Sequence, residues 1–140
     1  MILFTDIVGS VALQSKLGTE AYTRYIRRHD SIFKHCLSYV QGASILNETG
    51  DGFLVKFSAA SDAVETALRL QCLLREEICE GELMVLRIGL HMGEVSEMEE
   101  QITGDTRAVG MAINLCARIM DLAGDGQILL TRGVFDEARQ

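Results

Sequence analysis

Hydrophobic residues recur with two different periods along this 140-residue chain, and the two periods predict strands and helices in a definite order. Short apolar runs predict strands, and apolar residues that repeat every three or four positions predict amphipathic helices. The predicted order is β-α-β-β-α-β-α-β-α. The strands are expected at residues 2–5, 45–46, 53–55, 83–95 and 127–131, with a return segment within 96–106.

The helical stripes end at residues that commonly begin or stop a helix. Thr19 is a candidate N-cap and Gly42 a candidate stop for the first long helix. Ser61 and Gly81 take the same roles for the second helix, whose apolar stripe extends to Ile78. Two more helices are expected at residues 109–122 and 132–140.

Helices alternate with strands in a chain that is too short for a doubly wound sheet. The expected fold class is therefore α+β, a ferredoxin-like α/β sandwich in which helices flank a mostly antiparallel sheet. One domain is expected from the length. A chain of this size buries roughly 70% of the surface that it exposes when unfolded, which is enough for a substantial core.

Charge and cysteine spacing exclude several classes of function. The net charge of −7 argues against a nucleic-acid surface, because basic patches carry such binding. The four cysteines lack zinc-site spacing, which favours reduced thiols in the cytoplasm. No apolar run approaches the roughly 20 residues of a membrane span. We therefore expect no direct membrane contact in this segment, although other domains of a parent protein could anchor it.

The segment ILNETGDGFLVKF, residues 45–57, places a carboxylate between two strands. Asp-Gly between apolar runs is a strong hairpin signal, so Asp51 is expected at the hairpin tip, where it could also be a turn residue alone. In a ferredoxin-like sheet the first strand, which ends at Asp6, lies beside this hairpin. The two carboxylates would then meet at one edge of the sheet, where they suit Mg²⁺ or Mn²⁺ ions that bridge phosphates.

Two further groups suit phosphate chemistry. The Gly9–Ser10 turn leads into a helix, so its backbone N–H groups could cradle a phosphate. Asn114 and Arg118 are four residues apart on one helix face, with apolar residues such as Leu115 between them expected to pack down. Such a pair supplies donors for charge on phosphate oxygens, although Arg118 could equally be a surface arginine.

These pieces, taken in order, resemble the class III nucleotidyl cyclase domain, the adenylyl and guanylyl cyclase family. The matching segments are LFTDIVGS (3–10), TGDGFLVKF (49–57), RIGLHMGEV (87–95) and GMAINLCARI (110–119). The resemblance spans essentially the whole chain. The family domain continues with further strands, one of which usually carries a phosphate-binding lysine, so residues 1–140 are expected to form a cyclase domain that is incomplete at its C-terminus.

The resemblance implies a role for each candidate residue. Asp6 and Asp51 would bind two Mg²⁺ or Mn²⁺ ions, assisted by the carbonyl oxygen of Ile7. Asn114 and Arg118 would stabilise the transition state. The triphosphate would lie against the backbone of Val8, Gly9 and Ser10.

The family works as a head-to-tail homodimer with its active sites at the interface. One protomer would supply the metal site and the other the asparagine–arginine pair. The implied reaction is attack of the ribose 3′-oxygen of a nucleoside triphosphate, most simply ATP, on the α-phosphate. It yields a 3′,5′-cyclic nucleotide for intracellular signalling and releases pyrophosphate.

Two expected base-recognition residues, Asn47 and Arg107, depart from the family pattern. Members specific for ATP usually carry Lys and Asp or Thr at these positions, and guanylyl enzymes usually carry Glu and a small residue. An amide offers both donor and acceptor, whereas a guanidinium suits the carbonyl of guanine or uracil better than the amino group of adenine. The base therefore stays open between ATP, GTP and a pyrimidine nucleotide. A non-catalytic, nucleotide-binding and dimerising regulatory module is the other alternative.

Three neighbouring residues receive no chemical role. Glu48 is expected on the opposite face of its strand from Asn47. Arg87 is expected at the surface or at a dimer edge, and His91 is expected to be a packing or hydrogen-bonded histidine.

Overall fold

The computed structural model of the chain describes residues 1–99 and 106–140, without the side chains of residues 96–99 and 106–109. Within these ranges, the helices are α1 (Ser10–Leu17), α2 (Thr19–Leu37), α3 (Ala60–Leu74), α4 (Met111–Leu122) and α5 (Arg132–Ala138). The strands are β1 (Ile2–Ile7), β2 (Ala43–Glu48), β3 (Phe53–Phe57), β4 (Ile78–Cys79), β5 (Glu82–Leu83), β6 (Leu86–His91), β7 (Ser96–Glu99), β8 (Thr106–Val109) and β9 (Ile128–Leu130).

The central sheet has the strand order β2-β3-β1-β6-β9. Strands β2, β3, β1 and β6 are antiparallel to their neighbours in the ferredoxin-like order, and β9 adds a parallel strand at the edge. Two short antiparallel pairs, β4–β5 and β7–β8, lie outside this sheet. The expected fold class is confirmed, including the central position of β1 beside the hairpin.

Each face of the sheet builds its own hydrophobic core because side chains alternate along β3. Phe53, Val55 and Phe57 join the larger core with α2 and α3. Leu54 faces the other way and packs with Ala112 and Cys116 of α4. In the larger core the rings of Phe33 and Phe53 stack with centroids 4.2 Å apart, and fully burying such a side chain contributes roughly 1.5–3 kcal/mol.

Helix α4 packs unusually close to the sheet. A Cβ atom at Gly89 of β6 would lie within 3 Å of backbone atoms of Cys116 and Met120. The Cys116 thiol also donates to the carbonyl oxygen of Gly89 at 3.4 Å and to that of Ile2 at 3.7 Å. These contacts fix the middle of α4 over β6 and the first half of β1.

The first helical region differs from the expectation. It consists of two helices, and α2 begins at Thr19 itself, after Gly18 with φ 82°. Helix α1 contains no fully buried residue, so the apolar periodicity of the sequence did not predict it. Helix α2 ends at Leu37, five residues before Gly42.

The second helix is also shorter than expected. Helix α3 follows Ala59, so Ser61 lies inside it, and it ends at Leu74. Ile78 is exposed and belongs to β4, not to the helical stripe. The chain reverses between β4 and β5 at Glu80 and Gly81, both with positive φ, and the single strand expected at 83–95 is divided into β5 and β6. In the described ranges, no helix is both long and apolar enough to cross a membrane.

Candidate active site

The end of β1 is fastened to the β2–β3 loop by backbone contacts. The Ile7 N–H donates to the Asp51 carbonyl oxygen at 2.9 Å, and the Phe53 N–H donates to Thr5 Oγ1 at 3.0 Å. Between them, Gly52 is buried so closely that a Cβ atom there would overlap the carbonyl oxygen of Thr5. The loop can approach β1 in this way only because residue 52 has no side chain, and the approach brings Asp51 beside Asp6.

The two carboxyl groups form one electrostatic unit. Burial raises the pKa of Asp6, hydrogen bonding to Arg87 opposes this rise, and the neighbouring Asp51 raises the pKa further. Asp51 is itself held from both sides. Ser10 Oγ donates to its Oδ2 at 2.9 Å, and Thr49 Oγ1 donates to its Oδ1 at 3.2 Å. The expected meeting of Asp6 and Asp51 is therefore seen.

Arg87, which received no role from the sequence, is part of this site. It lies directly opposite Asp6 in the antiparallel β1–β6 register, and its Nη2 donates to Asp6 Oδ2 at 2.9 Å. Its Nε is buried and has no hydrogen-bond partner in the part of the chain that the structure describes. Opposite charges on paired strand positions are the signal that could have revealed it. His91, in contrast, bonds Thr131 Oγ1 at 3.2 Å, at the far end of β6.

The donor set of this site fits a hard divalent cation. Asp6, Asp51 and the carbonyl oxygen of Ile7 would offer oxygen ligands, as Mg²⁺ and Mn²⁺ prefer. Among the described residues no cluster of three or more His, Cys, Asp or Glu side chains could hold a metal. Two carboxylates alone suit Mg²⁺, which commonly takes its remaining ligands from water and substrate phosphates.

The N-terminus of α1 begins beside the carboxylates. Gly9 precedes the helix in the left-handed conformation, with φ 68° and ψ 29°. Ser10 starts the helix and contacts Asp51. The Val8 N–H, however, already donates to the Val85 carbonyl oxygen at 2.9 Å, so this amide is not free for a phosphate. Of the expected segment, Gly9, Ser10 and the first turn of α1 keep the geometry that suits an anion, because the N–H groups at a helix start lack partners within the helix.

Asn114 and Arg118 share one exposed face of α4, as expected. Their helix is anchored over the start of β1 through Cys116. Both side chains are exposed, and Arg118 is not among the groups that shift the pKa of Asp6. Within the described chain, the structure therefore presents the Asn114–Arg118 pair to solvent and not to the carboxylates.

The same face of α4 carries exposed apolar side chains. Met111 is 77% exposed, Leu122 is 78% exposed, and Leu115, which was expected to pack down, is 40% exposed. Cys116, which follows Leu115, is fully buried because it faces the sheet. Asn114 and Arg118 thus lie among exposed apolar side chains. Exposed apolar patches commonly mark a surface that binds another molecule.

The β2 strand contains an irregularity next to the expected base-recognition residue. The register shifts between Ile45 and Asn47, so that Leu46 is an extra residue. Asn47 pairs with Leu54 and lies on the α4 side of the sheet, while Glu48 pairs with Phe53 on the α2 side and contacts Lys34 at 3.6 Å. The two side chains take opposite faces, as expected. The backbone of the second base-recognition candidate, Arg107, belongs to β8, but its side chain lies outside the described residues.

Comparison with known proteins agrees with this fold. The family model of the adenylate and guanylate cyclase catalytic domain matches residues 1–138. The chain therefore belongs to the adenylate and guanylate cyclase catalytic-domain family.

Individual relatives also match this chain. The chain is 29% identical over 138 residues to a putative adenylate cyclase 3 of Rhizobium meliloti, covering 96% of this chain and 22% of that protein. It is 39% identical over 125 residues to an uncharacterised protein of Mycobacterium tuberculosis, covering 89% and 44%. The chain thus spans less than half the length of these relatives.

The solved structures agree in fold at lower identity. The guanylyl cyclase Cya2 superposes with a TM-score of 0.87 at 24% identity, covering 98% of this chain and 76% of that one. The guanylate cyclase domain of RhGC from Catenaria anguillulae, solved in complex with GTP, gives 0.84 at 18% identity, covering 97% and 79%.

Proposed function

We propose that this chain is the catalytic domain of a metal-dependent nucleotide cyclase. The substrate is a nucleoside triphosphate, most simply ATP, and the products are a 3′,5′-cyclic nucleotide and pyrophosphate. The observation that carries the proposal is the meeting of Asp6 and Asp51 at one sheet edge, within a chain of the cyclase family. That pair is the oxygen donor set that a phosphate-bridging cation requires.

Each residue of the site contributes a separate part. Asp6, Asp51 and the carbonyl of Ile7 would hold the ions, which when bound activate a hydroxyl group and stabilise charge on leaving phosphates. Ser10 and Thr49 orient the Asp51 carboxylate through their hydroxyl groups. The N–H groups in the first turn of α1 lack partners within the helix, so they could donate to an anion. The helix dipole also favours a negative charge at this end.

A second copy of the chain completes the site. Asn114 and Arg118 are exposed, so their side chains are available to a site on a partner chain. The apolar surroundings formed by Met111, Leu115 and Leu122 suit burial in such an interface. We propose a head-to-tail homodimer in which the Arg118 guanidinium stabilises charge that develops on the α-phosphate, with Asn114 beside it.

Base selection is assigned to Asn47 with Arg107. Asn47 lies on the α4 side of the sheet, where its amide could offer a donor and an acceptor to a base edge. Relatives include proteins named adenylate cyclase, and one structural neighbour was solved with GTP. A purine is therefore the first candidate.

The proposal is tested by a product assay. ATP, GTP, CTP and UTP are offered separately with Mn²⁺ and then Mg²⁺, and products are identified by mass spectrometry. We expect one cyclic nucleotide, which disappears in Asp51→Asn and persists in the matched control Asp62→Asn, located in the first turn of α3. Nucleotide binding without any product in a folded, dimeric protein would instead identify a regulatory module.

A further inference from the structure

Arg87 supplies the positive charge beside the Asp6 carboxyl group. Its guanidinium lies 2.9 Å from Asp6 Oδ2, and the Asp51 carboxyl group also neighbours Asp6. The side chains of Arg87 and Asp6 are only 29% and 23% exposed. An ion pair at this depth is screened less by water and salt than a surface pair.

We propose that Arg87 competes with the divalent metal for Asp6, so that a metal ion must displace this ion pair before it binds the nucleotide-free chain. The inference rests on the proposed metal site at Asp6 and Asp51. Its consequence is an order of events. The free chain binds metal weakly, and metal binding becomes favourable together with the nucleotide, whose negative charge compensates Arg87.

The physical argument is one of charge and of shared acceptor atoms. The Asp6 carboxyl group that accepts the Arg87 N–H is also one that would hold a metal, and a guanidinium and a divalent ion repel each other at a few ångströms. The other groups near Asp6 do not replace Arg87, because Asp51 carries no positive charge and Ser10 and Thr49 are neutral donors bound to Asp51. Removing the positive charge therefore leaves the two carboxylates more attractive to a cation.

The unpartnered Nε of Arg87 fits the same reading. Ion pairs between arginine and a carboxylate frequently contain two parallel N–H···O hydrogen bonds. Here one Nη2 contact is made while Nε is buried without a partner in the described part of the chain. The guanidinium is thus held by a single hydrogen bond to Asp6, an arrangement that can be exchanged.

The test measures Mn²⁺ binding to the nucleotide-free chain by electron paramagnetic resonance of the free ion, at pH 8 and low ionic strength. We expect Arg87→Gln to lower the Kd on the order of fivefold to tenfold, because a nearby repulsive charge is gone. Arg87→Lys keeps the charge and should stay close to wild type. Arg24→Gln, which removes an arginine paired with Glu80 away from the site, should leave the Kd unchanged. Thermal melting in chelator shows that each variant is folded.

The outcomes separate this inference from the proposed function. If wild type binds Mn²⁺, Asp51→Asn does not, and Arg87→Gln binds no more tightly than wild type, the competition is overturned while the metal site stands. If neither wild type nor Arg87→Gln shows saturable binding, or if Asp51→Asn binds as well as wild type, the metal site fails and the competition with it.

A measurement on wild type covers the case in which Arg87→Gln does not fold. In a nuclear magnetic resonance titration with Mg²⁺, the Arg87 Nε–H signal should shift together with the Ile7 amide signal. An Ile7 shift with an unmoved Arg87 signal would overturn the competition.

Discussion

The amide of Ile7 donates a hydrogen bond of 2.9 Å to the carbonyl oxygen of Asp51. This bond joins the last residue of β1 to the loop of the neighbouring hairpin, so the backbone itself brings the two strand ends together. Because Asp6 precedes Ile7, its side chain is brought beside Asp51. The proximity of the two carboxyl groups therefore follows from the packing of the backbone.

Substitution of Gly52 should disrupt this packing. Gly52→Ala would place a methyl group on the Thr5 carbonyl, a backbone atom that cannot rotate away. We expect a loss of about 3 kcal/mol in the free energy of unfolding, at the upper end for overpacking, and loss of cyclase activity. Urea unfolding measures the first effect.

The control for this change is Gly126→Ala. Gly126 has φ 75° with no atom within 4 Å of an added Cβ, so only the left-handed strain of about 1–2 kcal/mol applies. Equal destabilisation by the two substitutions would show that steric contact with β1 is not what makes Gly52 special.

The titration of Asp6 reports the proximity of Asp51. Burial first, and then Asp51, raises the pKa of Asp6 above the ordinary aspartate value, against the opposing effect of Arg87. Since the folded chain then holds this proton more tightly than the unfolded chain, the contribution of Asp6 to stability falls as pH rises from the ordinary value through the raised one. Carbon-detected magnetic resonance of the metal-free chain should show a lower Asp6 pKa in Asp51→Asn. An Asp6 pKa unchanged by that substitution would contradict the geometry.

The cysteines should react in an order set by burial. Burial raises the pKa of Cys116 to about 12 and also raises that of Cys36. At pH 8 only about one Cys116 thiol in 10,000 is then the reactive thiolate. We expect iodoacetamide to modify the exposed Cys72 first and to reach Cys36 and Cys116 only after unfolding. Peptide mapping by mass spectrometry checks this order, and rapid native labelling of Cys116 would contradict the packing of α4.

Much of the fold could be predicted from the sequence because its signals are local. The apolar runs that became β1 and β3 and the stripe that became α4 were recognisable by period alone. The Asp-Gly turn also announced the hairpin, and Asp6 was found because it closes a central strand. These features depend on residues close together in the chain.

What escaped prediction depends on contacts between distant residues. Helix α1 has no fully buried residue and contributes only Leu13 and Leu17, both partly buried, to the core, so its apolar stripe is weak. Arg87 became part of the site only through the β1–β6 register, and the loss of Val8 as a phosphate donor required knowing that Val85 lies opposite. Ile78 fitted a helical stripe, but the turn at Glu80–Gly81 made it a strand residue. The register between two strands and the position of a chain reversal both depend on contacts that a local sequence pattern does not contain.

The most direct test of the account is complementation between two inactive variants. Asp51→Asn lacks the metal site and Arg118→Ala lacks the partner's contribution, so each homodimer should be inactive. After unfolding and refolding together, mixed dimers should contain one intact site, and up to about a quarter of the wild-type cyclic nucleotide product should return, by random pairing of equal amounts. If wild type is active and both variants are inactive but their mixture never regains activity, the shared site proposed here is wrong.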